Sequence, residues 1–149
     1  MAEKLARMKK VVNILLVEDD DLDIRDIKRT MDKMGILHLM HVSRNGEEAI
    51  KYLEENHPDN QATWPDMVLL DINMPKMNGL EFLDVLRKRS EWKDLKVFIL
   101  TTSEEKVDKE AAKNLGISGY IVKPLKFNNP SSMDSFHLMI DLMNYTNRI

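Results

Sequence analysis

The sequence of 149 residues contains no cysteine, no apolar run of membrane-spanning length and no excess of positive charge. The lack of cysteine excludes disulfide bonds, thiolate metal sites and cysteine nucleophiles. The apolar runs are too short to cross a bilayer, and residues 1–10, MAEKLARMKK, lack the apolar centre of a signal peptide. A formal net charge of -3 argues against nucleic acid as a direct partner. These absences predict a soluble, cytoplasmic protein with no membrane partner.

The sequence has a balance typical of a globular domain, with 43% hydrophobic and 32% charged residues. Its length fits one domain with an ordinary core. Apolar runs alternate with amphipathic stretches along the chain, which is typical of strand–helix units. The apolar runs predict strands at residues 11–17, 37–43, 66–72, 95–103 and 119–124. The stretches that follow predict helices within residues 21–35, 45–56, 80–90, 104–116 and 131–149.

The predicted strands lack clean alternation of apolar and polar residues, so we expect both faces of the sheet to be buried. Successive strand–helix units with right-handed crossovers predict an α/β fold of the flavodoxin-like type. This is a doubly wound (βα)5 sandwich whose five-stranded parallel sheet has the order 2-1-3-4-5. In such a sheet, ligands bind beyond the carboxyl ends of the strands, where the strand order reverses.

Polar side chains stand at the predicted carboxyl ends. Glu18 and Asp19 follow the first strand, Asp71 ends the third, Thr101 lies at the end of the fourth and Lys123 at the end of the fifth. Carboxylates that converge repel one another without a cation, and an all-oxygen ligand set with open positions favours Mg²⁺. A lysine and a hydroxyl beside such a site fit a phosphoryl group. The sequence therefore predicts a site for Mg²⁺ and a phosphoryl group at this edge.

Four segments resemble the signature segments of response-regulator receiver domains: ILLVEDD (14–20), VLLDINMPKMNG (68–79), ILTTS (99–103) and GYIVKP (119–124). The resemblance runs from about Asn13 to Pro124, and the closing helix fits it too. It implies a lead-in at residues 1–10 and a single receiver domain at 11–149 with no output domain. The loop ENHPDNQATWPD (55–66) and the extra residues after Lys123 are similar to stand-alone response regulators of phytochrome-class histidine kinases.

The resemblance implies a role for each matched residue. Asp71 would be the phosphoacceptor, and the Mg²⁺ ligands would be Glu18, Asp19, Asp71 and the backbone carbonyl of Asn73. Thr101 and Lys123 would bind the phosphoryl group. Tyr120 stands where the family has a switch aromatic that rotates together with the threonine.

The function implied is that of a single-domain response regulator in a two-component phosphorelay. Asp71 would receive a phosphoryl group from a sensor histidine kinase, of phytochrome type by the finer resemblance. The modified protein would bind a downstream protein, pass the phosphate to a histidine phosphotransferase, or form a homodimer through the fourth helix, fifth strand and fifth helix. The family is a signalling module and not an enzyme, since it catalyses only its own phosphorylation and dephosphorylation.

Two rival functions use the same residues. A Mg²⁺-dependent aspartyl phosphatase would place a second acid two residues after its nucleophile, where this chain has Asn73. A pseudo-receiver that never accepts phosphate is opposed by the full set of acids with Thr101 and Lys123. Local alternatives are that Asp20 and Asp21 are charges of a helix first turn, and that Tyr120 only packs against the last helices.

Overall fold

The computed structural model describes residues 11–74, 76–102 and 108–123. This part of the chain contains one five-stranded sheet in which every neighbouring pair is parallel. Its strands are β1 (Val12–Val17), β2 (His38–Ser43), β3 (Met67–Asp71), β4 (Lys96–Thr101) and β5 (Gly119–Val122). The observed order, β2-β1-β3-β4-β5, confirms the predicted order and the flavodoxin-like doubly wound class.

Four helices connect the strands: α1 (Asp21–Lys33), α2 (Gly46–Glu55), α3 (Gly79–Lys88) and α4 (Lys109–Asn114). Each begins on a polar cap whose side chain accepts a hydrogen bond from the backbone N–H three residues later. The caps are Asp20, Asn45, Asn78 and Asp108. Each cap therefore fixes the residue at which its helix begins.

The core lies on both faces of the sheet, and every residue of β1 and β3 is buried. One face packs Ile14 and Leu16 against Ile27 of α1. The other packs Leu15 against α2 and α3, through residues such as Leu53 and Phe82. This two-sided burial explains why the strands read as continuous apolar runs.

The fourth helix differs from its prediction. The amphipathic pattern predicted a helix within residues 104–116, but α4 begins only at Lys109. Asp108 has a non-helical ψ of 88°, and its carboxylate accepts a hydrogen bond of 3.0 Å from the N–H of Ala111. Aspartate competes for backbone N–H groups in this way, so it starts a helix instead of continuing one.

Several predicted segments lie outside the described residues: the lead-in at 1–10, residues 103–107, Pro124 and the closing helix at 131–149. Of the helices that are described, none combines the length and apolarity needed to cross a membrane.

Candidate functional site

Three carboxylates meet at the carboxyl ends of β1 and β3. The two strands are neighbours, with Val17 paired to Leu70, so the residues that follow emerge side by side. Glu18 is 0% and Asp71 3% exposed, whereas Asp19 is exposed to solvent. Carboxylate oxygens of Glu18, Asp19 and Asp71 all lie within 4.8 Å of one another. The structure therefore brings together the three acids that the sequence predicted as metal ligands.

Lys123, directly after β5, reaches into this cluster with a side chain that is only 8% exposed. Its Nζ donates to Oδ2 of Asp23 at 2.9 Å and to Oε1 of Glu18 at 3.1 Å. Oδ1 of Asp71 lies 3.6 Å from the same nitrogen. Burial disfavours the charged lysine, but its hydrogen bond to Asp23 and the charges of Glu18 and Asp71 outweigh the burial and raise the pKa of Lys123. The lysine is thus a fixed cation beside the predicted phosphoacceptor.

The raised pKa of Glu18 indicates that Lys123 alone does not neutralise the three carboxylates. Burial first, and then a hydrogen bond to Asp71 and the charge of that residue, raise the pKa of Glu18 to about 8, although Lys123 acts in the opposite direction. A buried carboxyl in this state is readily neutral unless a cation joins the cluster. Oxygen ligands on one open edge of the site are the donor set that Mg²⁺ prefers. The residues present therefore fit the predicted metal.

The loop after β3 holds Asp71 in place. The N–H of Asn73 donates to Oδ1 of Asp71 at 3.2 Å, and the N–H of Gly79 donates to the carbonyl of Ile72 at 3.1 Å. A Cβ at position 79 would lie 2.8 Å from the backbone oxygen of Asp71, so the first turn of α3 packs directly on this peptide. Lys76, between Asn73 and Gly79 in this loop, has a left-handed φ of 68°, which lets the loop turn back tightly. The loop fixes the strand end with backbone contacts.

Thr101, at the end of β4, and Tyr120, in β5, lie on one face of the sheet. Thr101 is buried, and its Oγ1 donates to the carbonyl of Thr102 at 3.2 Å. The parallel register pairs Ile99 with Tyr120, and residues 99 and 101 share a face because side chains alternate along a strand. Tyr120 packs with Ile99, Ile72 and the buried Ala112, and its hydroxyl lies 3.5 Å from the carbonyl of Lys109. The threonine and the tyrosine are therefore near neighbours.

Two residues that contribute to the site were not predicted from the sequence. Asp23, in the first turn of α1, donates its backbone N–H to Asp20 at 3.0 Å and binds Lys123 with its carboxylate. Arg44, after β2, donates to the carbonyl of Asp19 at 3.2 Å and to Oδ1 of Asp21 at 2.7 Å. Asp19 precedes the cap of α1, so its spacing from Asp23 did not indicate that Asp23 would face Lys123. No signal in the sequence indicated Arg44.

The alternative interpretation of Asp20 and Asp21, as charges at the start of a helix, agrees with the structure. Asp20 caps α1, and Asp21 lies in its first turn. Neither belongs to the group of carboxylates that converge on Asp71. Negative charge at this position is stabilised by the helix dipole.

Comparison with known proteins agrees with this geometry. The family model described as the response regulator receiver domain matches residues 14–131. The chain is 32% identical to the response regulator Rcp1 of Synechocystis over 110 residues, which are 74% of this chain and 75% of Rcp1. A solved structure of the Mn²⁺-bound form of Rcp1 superposes with a TM-score of 0.68 at 28% identity and covers 92% of this chain and 95% of that one.

Two further solved structures are similar. The bacteriophytochrome response regulator RtBRR has a TM-score of 0.71 at 30% identity, over 94% of this chain and 80% of that one. The phosphorylated cyanobacterial phytochrome response regulator RcpA has a TM-score of 0.70 at 28% identity, over 93% of this chain and 96% of that one. The predicted resemblance to phytochrome response regulators is confirmed.

Proposed function

The chain belongs to the response regulator receiver domain family, and on that premise we propose that Asp71 accepts a phosphoryl group from a histidine kinase. A receiver domain is the phosphoacceptor module of two-component signalling. The observation that carries the residue assignment is the buried carboxylate of Asp71, which lies among Glu18, Asp19 and the ammonium of Lys123. This arrangement combines a nucleophile, an acidic metal site and a fixed cation.

The metal proposed for the site is Mg²⁺. Glu18, Asp19, Asp71 and the backbone carbonyl of Asn73 would hold it. When bound, the ion supplies positive charge that offsets the carboxylates and the oxygens of the transferring phosphoryl group.

The transfer is an in-line displacement. A carboxylate oxygen of Asp71 forms a bond to phosphorus, the bond from phosphorus to the kinase histidine breaks, and its electron pair leaves on the imidazole nitrogen. A carboxylate is itself a nucleophile, so the proposed step through Asp71 needs no general base. Because the transition state is loose, its stabilisation depends on positioning and charge. Lys123 stabilises the phosphoryl oxygens, and the hydroxyl of Thr101 donates to one of them after transfer.

The signal would leave the site through Thr101 and Tyr120. If Thr101 turns toward the phosphoryl group, it vacates space on the face it shares with Tyr120, and the tyrosine rotates inward. The surface of α4 and β5 then changes, and a downstream protein, a histidine phosphotransferase or a second copy of the chain responds to it. The fifth helix of this predicted surface lies outside the described residues.

Phosphotransfer tests the proposal. The protein is incubated with Mg²⁺ and acetyl phosphate, and the number of phosphoryl groups on each molecule is determined by intact-mass spectrometry. We expect one phosphoryl group on the parent protein and none on Asp71→Asn. Asp84→Asn, a matched change on the surface of α3, should be labelled like the parent. Labelling of Asp71→Asn at the parental level would refute the assignment.

The kinase class is proposed from the relatives, two of which are described as phytochrome response regulators. Phosphotransfer from phytochrome-type kinases should be faster than from other histidine kinases in a side-by-side assay. Equal rates would contradict this part of the proposal. A cytoplasmic location follows from the same proposal, because the kinase obtains its phosphoryl group from ATP.

A further inference from the structure

Asp23 lies nearer to Lys123 than the phosphoacceptor does. The distance from Nζ to Oδ2 of Asp23 is 2.9 Å, while Oδ1 of Asp71 is 3.6 Å away, beyond hydrogen-bond length. An ammonium group has three protons to donate. Asp23 and Glu18 each accept a hydrogen bond from it, so the lysine is already engaged before any phosphoryl group arrives.

We propose that Asp23 is a positioning residue that competes with the phosphoryl group on Asp71 for the ammonium of Lys123. The inference rests on the proposed function, and it concerns a carboxylate outside the three-acid group. Asp23 holds the lysine on the α1 side of the site in the unmodified protein. Phosphorylation then transfers the lysine from Asp23 to the phosphoryl oxygens.

The contacts indicate which of the two acids releases the lysine. Glu18 is 0% exposed, and its second oxygen accepts from the backbone N–H of Asp19 at 3.1 Å, so Glu18 is fixed at the strand end. The side chain of Asp23 is 26% exposed and belongs to a helix first turn. A carboxylate that reaches water regains hydration when it loses its partner, and the helix dipole also stabilises its charge. Asp23 is therefore the partner from which Lys123 departs at lower free-energy cost.

The consequence is a gain of function on neutralisation. Asp23→Asn keeps the size of the side chain and an acceptor oxygen but replaces the ion pair with Lys123 by a hydrogen bond from the charged lysine to a neutral amide. The affinity for beryllofluoride, a phosphoryl mimic, should rise roughly fivefold at saturating Mg²⁺, because an ion pair of a partly exposed carboxylate contributes a modest free energy. The affinity for Mg²⁺ alone should not rise, because one carboxylate fewer attracts the cation less strongly. A variant whose structure is merely damaged would instead bind both beryllofluoride and Mg²⁺ more weakly than the parent.

Calorimetry on the full chain measures both affinities, with thermal melting as a check of folding. Asp23→Glu, which restores the carboxylate, should return the beryllofluoride affinity toward the parental value. Asp26→Asn makes the same charge change one turn further along α1 and should leave the affinity unchanged. Asp23→Ser, a smaller neutral side chain, should show the same direction of change if Asp23→Asn does not fold.

A double-mutant cycle separates competition for the lysine from simple relief of charge repulsion. In a Lys123→Met background, the gain from Asp23→Asn should disappear. Persistence of the gain in that background, an equal gain in Asp26→Asn, or no gain in Asp23→Asn would each overturn the inference. A parent protein that binds no beryllofluoride would instead refute the proposed function itself.

Discussion

Gly79→Ala provides a strong test of how the phosphoacceptor is held. Gly79 is the first residue of α3, and a Cβ there would lie 2.8 Å from the backbone oxygen of Asp71 and 2.9 Å from Cα of Ile72. Both obstacles are backbone atoms, so the strand end or the helix must move. Overpacking of this kind usually destabilises by about 1–3 kcal/mol. Replacing glycine by alanine also lowers the conformational entropy of the unfolded chain, which stabilises the protein by about 0.4–1 kcal/mol. The expected net loss in the free energy of unfolding is therefore roughly 1–2 kcal/mol.

Gly46→Ala is the matched control. Gly46 is likewise the first residue of a helix, α2, and follows an asparagine cap. A Cβ there would lie 2.9 Å from Sδ of Met77, which can move away, but also 3.0 Å from Cγ and Cβ of Met77, and that Cβ moves only together with its backbone. Since the gain through the unfolded chain is common to both positions, the difference between the two variants measures how much more the closer backbone contact at Asp71 costs.

Urea unfolding and labelling by acetyl phosphate measure the two consequences. Gly79→Ala should lose stability and also be phosphorylated more slowly than the parent, because movement of the Asp71 peptide misplaces the nucleophile. Gly46→Ala should lose less stability than Gly79→Ala and should be phosphorylated at a rate closer to that of the parent. If Gly79→Ala is as stable as Gly46→Ala and is labelled at the parental rate, the contact does not position the phosphoacceptor.

Three other predictions concern single residues. Asp19→Asn should weaken Mg²⁺ binding several-fold by calorimetry, since it removes one carboxylate of the three-acid group; unchanged affinity would mean that other acids bind the metal. Thr101→Ala should still accept a phosphoryl group but lose most of the beryllofluoride-dependent change in partner binding or self-association by ultracentrifugation; a parental response would exclude the threonine–tyrosine route. His41 is an exposed residue of β2, but its ring stacks on Tyr52 at 3.8 Å, and the partial desolvation lowers the pKa of His41 against the opposing charge of Glu48. The contribution of His41 to stability should therefore decline as the pH falls below about 6.5, whereas the raised pKa of Glu18 acts in the opposite direction, so the test is the difference in pH-dependent unfolding between the parent and His41→Gln.

The sheet was predictable because its central strands β1 and β3 are buried on both faces and its helices carry their own start signals. Asn45, for example, stands directly before an amphipathic run in the sequence, and in the structure it caps α2. The start of α4 was not found, because the apolar spacing continues back through Val107 while Asp108 ends the helical conformation. Periodicity reports which face of a segment is apolar, but a local side-chain hydrogen bond decides where the helix begins.

The acids and Lys123 were predictable for a different reason: in a parallel sheet, strand ends share one edge, so position along the chain determines position in space. That argument covers strand ends only. Asp23 lies on a helix and meets Lys123 across 100 residues of sequence, so its contact depends on how α1 rotates as it packs. Trp92 shows the same limit, since it lies in the turn after α3, outside any periodic pattern, yet it is only 2% exposed.

The charges around Lys123 connect the proposed chemistry to the proposed switch. Glu18, Asp23 and Asp71 share this one ammonium. Phosphorylation would replace the single charge of Asp71 with a group that carries close to two negative charges, so the lysine would be drawn toward it. The backbone N–H of Lys123 donates to the carbonyl of Thr101 at 2.7 Å, which ties the lysine to the threonine across the ends of β4 and β5. A shift of the Lys123 ammonium toward the phosphoryl group would therefore also displace Thr101, and through Thr101 it would alter the face of the sheet that carries Tyr120.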